Sequence, residues 1–272
     1  MGALLGLEPG DYREIIMKPS ELSPLNNVDA DAGFSHFDAC LTEKEHETLA
    51  KIRVGGTATY DNFGDIDKIE TDAARFFEKL GNNPAEAQEQ ASIVARMIKK
   101  TIAGFGAETA WVAIRASQPT SEYDVPRWHT DGYFYPPHSG DRLKAVITLK
   151  GASTLLNRLS KEKREDFQQL QRAPLDALES RKKLAALIDP SKTETTPPGC
   201  GTVFMSGSEY GAVHSEPPIH SERIFVSVLP GSKKQIEHLR QNWNRPSKTE
   251  IKLSDSRVQN NPSTLPAPKL LK

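Results

Sequence analysis

The chain has 272 residues, 37% hydrophobic and 26% charged, with a formal net charge of −1. That is enough for one large domain with a sizeable core, and too balanced in charge to mark a general polyanion binder. Two cysteines, Cys40 and Cys200, are too few for a disulfide framework or a cysteine zinc site, and no uninterrupted apolar run approaches a membrane span. The opening stretch Met1–Glu8 lacks the basic start and long apolar run of a signal peptide. A cytoplasmic protein with neither a membrane nor a nucleic-acid partner is expected.

Residues 1–40 are punctuated by Pro, Gly, Asp and Asn and read as an irregular surface arm. Thr42 and Glu45 have the spacing of a capping box, which opens a short helix to Ile52. A loop rich in Asp and Gly is expected from Gly55 to Lys68. Thr71 is placed as the cap of a second helix carrying Ala74, Phe76, Phe77 and Leu80, with Gly81 as its stop. Pro84 suits the first turn of a third, long helix, whose Ala91, Val94, Ala95, Ile98 and Ile102 follow an amphipathic spacing. Residues 1–109 are therefore an arm and bracing helices, belonging to the same domain as the rest of the core.

From Ala110 the pattern changes to short strands: Trp111–Ala116, Arg142–Leu149, Thr202–Met205, Ala212–His214 and Arg223–Leu229. Between the second and third lies a charged helical insertion, about 160–189, read as a surface decoration or a lid. Ile236, Leu239 and Trp243 mark the buried side of a short last helix. Residues 246–272 are polar and Pro-rich, and disorder is expected there. From residue 231 onward nine Lys/Arg face three acids, as in a solubilising basic tail. Short strands with long excursions predict an α+β protein. Its core, residues 110–245, would be a jelly roll of the cupin kind, a double-stranded β-helix braced by the N-terminal helices.

The chemistry gathers on Arg127-Trp128-His129-Thr130-Asp131-Gly132. In an extended strand, residues i and i+2 share a face, so His129 and Asp131 can hold one side of a divalent metal. Seven His and 36 acids leave roughly one His-x-acid to chance, so the spacing alone is weak. A second pair, His36/Asp38, precedes the first helix and reads as its lead-in. His214 is the candidate third ligand, completing the two-histidine, one-carboxylate set that leaves positions open on Fe(II). His220 is its rival, disfavoured by the preceding Pro217-Pro218. Arg223, nine positions after His214, can clamp a carboxylate through paired hydrogen bonds. Ser227 shares its strand face and adds a hydroxyl. Arg115, Arg142 and, less well, Lys144 are rival anchors. Trp128, Tyr133, Phe134 and Tyr135 are candidate walls of a cavity, or core.

His129-x-Asp131, His214 and then Arg223 on the next strand resemble the Fe(II)/2-oxoglutarate-dependent oxygenase superfamily. The likeness covers roughly residues 110–230. Within that breadth the chain is similar to an uncharacterised bacterial family. The shared features are Trp128-His129-Thr130-Asp131, Arg142-Leu143, Pro197-Pro198-Gly199, and His214-Ser215-Glu216-Pro217-Pro218 before Arg223. The resemblance implies a dioxygenase in which His129, Asp131 and His214 hold Fe(II). Arg223, with Ser227, would bind the far end of 2-oxoglutarate, which is decarboxylated to succinate as a substrate of unstated identity is oxidised. Two other classes fit the residues: a cupin-type metalloenzyme that does not use 2-oxoglutarate, and a noncatalytic jelly-roll binding module.

Overall fold

The computed structural model describes residues 28–29, 32–132, 134–135, 143–207, 211–242 and 251–254. The elements in chain order are β1 (Phe34–Asp38), α1 (Glu43–Ala50), β2 (Thr57–Phe63), α2 (Ile69–Lys79), α3 (Pro84–Gly104) and β3 (Thr109–Ser117). Then come β4 (Leu143–Lys150), β5 (Leu155–Asn157), α4 (Lys161–Arg172), α5 (Ala177–Leu187), β6 (Thr193–Thr195), β7 (Cys200–Met205), β8 (Val213–Ser215), β9 (Arg223–Gly231), α6 (Lys233–Asn242) and β10 (Ile251–Ser254).

Among the described residues the strands form a seven-stranded sheet, in the order β1-β7-β4-β9-β3-β2-β10, and a three-stranded sheet, β6-β5-β8. All of their pairings are antiparallel. The small sheet gains a fourth member where His129 bridges His214. From β3 onward the chain passes between the sheets: large (β3), small (the segment around His129), large (β4), small (β5, β6), large (β7), small (β8), large (β9). That alternation is the double-stranded β-helix expected from the short-strand pattern.

Each strand of the large sheet offers alternate residues to opposite faces. Tyr60, Val112, Ile114, Ile147, Val203, Ile224, Val226 and Val228 pack outward against Phe76, Phe77, Val94 and Ile98 of α2 and α3. Burying each large apolar side chain is worth roughly 1.5–3 kcal/mol, so this layer is the main store of stability. Two helix starts match the sequence reading. Thr42 and Glu45 form the full capping box of α1, and Asn83 caps α3 with Pro84 in its first turn. Helix α2 differs: it begins at Ile69 without a side-chain cap, and Thr71 lies inside it, because a 3-10 turn at Ile66–Lys68 already leads the chain in.

Three stretches expected to be irregular form strands. β1 covers the β7 edge of the large sheet, with Phe34 and Phe37 fully buried. β2 pairs with β3 along its whole length, and its Asp61 accepts a hydrogen bond from Trp111 Nε1 at 2.9 Å. Within the tail, β10 pairs with β2. The expected roles of Tyr133, Arg142 and Trp243 lie outside the described residues, as does the rest of the tail. No helix among the described residues is long and apolar enough to cross a membrane.

Candidate metal centre

His129 sits on a short extended segment laid against β8. Its N–H donates to the His214 carbonyl at 2.9 Å, and the His214 N–H donates back at 3.0 Å. This two-way bridge sets the imidazoles side by side, with ring centroids 4.3 Å apart. Asp131, two residues on, faces the same way, and its own carbonyl accepts from the Gly207 N–H at 2.9 Å. One ligand atom from each of His129, Asp131 and His214 lies within 4.8 Å of the others.

The hydrogen bonds decide which atoms face inward. His129 Nδ1 is 2.8 Å from the Arg127 carbonyl, and His214 Nδ1 is 3.0 Å from the Ala212 carbonyl. A carbonyl only accepts, so each Nδ1 carries a proton and each Nε2 is the atom left to face a metal. Those Nε2 atoms lie 3.8 Å and 3.9 Å from Asp131 Oδ1. Ligands about 2.1 Å from a common ion at right angles are about 3 Å apart, so each imidazole would close on Asp131 by under about 1 Å to share one. Imidazoles fixed through Nδ1, plus a carboxylate, are the donor set that suits a divalent transition metal.

The electrostatics keep the set ready for a cation. Burial pushes Asp131 toward the neutral form, but the Lys144 ammonium first, and the two imidazoles when protonated, outweigh it and hold the carboxyl well below its usual range. Lys144 Nζ donates to Oδ2 at 3.0 Å, so Oδ1 remains the oxygen nearest the imidazoles. Burial lowers His214 to about 4, with His129 adding to the effect, so its imidazole is neutral near pH 7. Beside them, Arg127 and Glu216 form a forked pair, with Nε to Oε2 at 3.2 Å. Burial opposes the Glu216 charge, yet His129 and Arg127 bring its pKa down to about 2.

Arg223 opens β9 and is 5% exposed. It lies on the face opposite the outward Ile224 and Val226, the face that looks into the barrel. Its Nε donates to the Ala152 carbonyl at 2.8 Å, and Nη2 reaches Thr154 Oγ1 at 3.4 Å. The guanidinium stacks over Phe225, 4.7 Å from the ring centre. No carboxylate among the described residues pairs with it: Glu216 is taken by Arg127 and Glu222 by Lys150, at 2.7 Å. Burial therefore lowers Arg223 to about 10. Ser227 lies on the same face, opposite Val146 of β4 and Ala113 of β3. Arg115, across from Phe225 on β3, also looks inward.

The other candidates separate cleanly. His220 is exposed, in the loop before β9. His36 belongs to β1, where Nδ1 bonds Thr202 Oγ1 at 2.9 Å, rather than leading into α1. Trp128 is no cavity wall: it is buried with Leu159, Phe167, Leu184 and Val213. Phe134 and Tyr135 pack with Trp111, Leu229 and Ile236, and the Tyr135 hydroxyl donates to the Pro230 carbonyl at 2.7 Å. Cys200 is a buried thiol that burial raises to about 11, consistent with an inert role.

Lys144 has another role than the carboxylate anchor considered for it: it holds a candidate ligand. The alternation of Lys144, Val146 and Thr148 along β4 carried that signal, because a lysine facing a barrel interior needs an acidic partner. The α4–α5 insertion is more than a surface decoration. It contributes Phe167 and Leu184 to the core beneath Trp128 and Val213, the residues just before His129 and His214.

No family model matches the chain, and no curated protein matches it. Among solved structures, it is similar to a rice dioxygenase for auxin oxidation, with 11% identity, 80% of this chain and 84% of that one covered, and a TM-score of 0.45. It is similar to a Pseudomonas putida prolyl-4-hydroxylase at 14% identity, covering 79% and 94%, with a TM-score of 0.38. It is also similar to a full-length Neurospora crassa protein in complex with alpha-KG at 10% identity, covering 85% and 88%, with a TM-score of 0.39. These likenesses are distant.

Proposed function

We propose that this chain is an Fe(II)- and 2-oxoglutarate-dependent oxygenase. The observation that carries the reading is the convergence of His129 Nε2, His214 Nε2 and Asp131 Oδ1, with both Nδ1 protons committed to backbone carbonyls. Two neutral imidazoles and one carboxylate hold Fe(II) on one side and leave positions open for other ligands. The chemistry supplied by bound iron and 2-oxoglutarate is oxidation of a substrate coupled to decarboxylation of the keto acid to succinate.

The protein's part is placement. Arg223 is a buried guanidinium without an acidic partner among the described residues, facing the same interior. It suits the far carboxylate of 2-oxoglutarate, with the Ser227 hydroxyl on the same strand face. The apolar lining, including Phe34, Val146, Leu156 and Phe204, limits water in the barrel.

Anaerobic titration with Fe(II), with and without 2-oxoglutarate, tests the reading. A visible metal-to-ligand charge-transfer band that needs both components is expected. Metal uptake with no response to 2-oxoglutarate would instead point to a cupin-type metalloenzyme, and no metal uptake would leave a binding module.

A further inference from the structure

The segment carrying His129 and Asp131 is the edge of the small sheet. In an antiparallel strand, alternate residues direct their backbone groups to opposite sides. His129 and Asp131 spend theirs on His214 and Gly207. Thr130, between them, points the other way, where the sheet has no further strand among the described residues.

Gln171 of α4 fills that position. Its Oε1 accepts from the Thr130 N–H at 2.9 Å and lies 3.2 Å from the Thr130 hydroxyl. Its Nε2 donates to the Thr130 carbonyl at 3.1 Å. One carboxamide thus satisfies both backbone groups, as a neighbouring strand would. Thr130 is 3% exposed, so water cannot readily replace it.

The rest of α4 aims at the same place. Arg164, Phe167 and Gln171 fall at i, i+3 and i+7, a single helical stripe. Arg164 Nη1 donates to the Gly211 carbonyl at 2.7 Å, just ahead of β8. Phe167 is fully buried in one cluster with Trp128 and Val213. Each of these contacts lands within three residues of a candidate ligand, on a neighbour of that ligand in the chain.

We infer that Gln171 is a positioning residue of the metal centre: it clamps the backbone between His129 and Asp131, so the α4–α5 insertion sets the ligand geometry from behind. The inference rests on the metal reading of those residues. It adds that the affinity of the centre depends on an amide outside it.

Co(II) titration of the full chain, with hydrogen exchange of the 127–131 segment, tests this. Gln171→Met keeps the length and apolar packing but removes both hydrogen bonds. Expected are a metal dissociation constant about tenfold weaker, in line with the loss of other groups that orient ligands, faster exchange of the Thr130 amide in the metal-free protein, and a lower Tm, because a buried N–H and carbonyl lose their partner. Gln171→Glu keeps the acceptor and loses the donor, and should fall between. Wild-type Co(II) affinity in Gln171→Met would overturn the inference. A wild-type protein that takes up no Co(II) would overturn the metal reading itself, whatever the Thr130 amide does.

Discussion

Lys144 and Asp131 meet at 3.0 Å, Nζ to Oδ2, so the carboxylate is neutralised on one oxygen while the other stays nearest the two imidazoles. The ammonium also lies 5.4 Å and 5.5 Å from the ring centres of Phe134 and Phe204. A cation already stands where an ion's charge would be felt. Lys144→Met should therefore destabilise the metal-free protein by about 2–3 kcal/mol, as a mostly buried carboxylate loses its partner. Bound metal should recover part of that loss. Thermal melts with and without Mn(II) would show a larger metal-induced rise in the variant than in wild type; equal rises would mean that ammonium and ion do not share the carboxylate.

His214 makes metal-free stability depend on pH. Its folded pKa of about 4 lies below the roughly 6.5 of an unfolded histidine. The unfolded chain therefore takes up the proton first as pH falls. The contribution is full above about pH 6.5 and is lost between about 6.5 and 4, with a ceiling of about 3 kcal/mol. Asp131 is depressed in turn, so its share is lost only below about pH 4. Urea midpoints at pH 7, 5.5 and 4.5 should fall steadily in wild type and more gently in His214→Gln. A flat wild-type profile would contradict the buried neutral imidazole.

Arg223→Met should separate cofactor binding from metal binding. The guanidinium is buried against Phe225 without an acidic partner among the described residues, so a hydrocarbon of similar length costs the fold little or stabilises it. Tm should hold or rise and Co(II) affinity should stay near wild type. The charge-transfer response to 2-oxoglutarate should vanish. If the response survives, Arg115, on the same inner face, becomes the anchor to test.

Glu216→Gln should unbalance the segment before the candidate metal ligands. The fork with Arg127 is partly shielded, with side chains 19% and 30% exposed, so the cost should be about 2 kcal/mol, below the 3–5 of a fully buried pair. A double-mutant cycle with Arg127→Met measures the coupling; additive losses would show that the fork contributes little.

The candidate triad and α3 stood out in the sequence for the same reason: both are patterns of residue type. A metal site of the proposed kind would restrict positions 129, 131 and 214 to a few side chains, and a buried helix face restricts Ala91, Val94, Ala95 and Ile98 to apolar ones. β1 and β2 escaped because their inner faces carry polar groups, His36 and Asp61, whose partners Thr202 and Trp111 are far away in sequence. Gln171 left no sequence signal. It reads a backbone amide, and every residue but proline offers one.

The two strands at the centre of the large sheet, β3 and β9, are paired from Thr109↔Gly231 to Ser117↔Arg223. More than a hundred residues of synthesis separate them. The apolar stripe of α2 and α3 therefore leaves the ribosome long before the surface that covers it is complete. Such topology folds slowly, on the order of milliseconds to seconds. Until then the nascent protein carries an adhesive flank, the kind of exposed surface that invites aggregation.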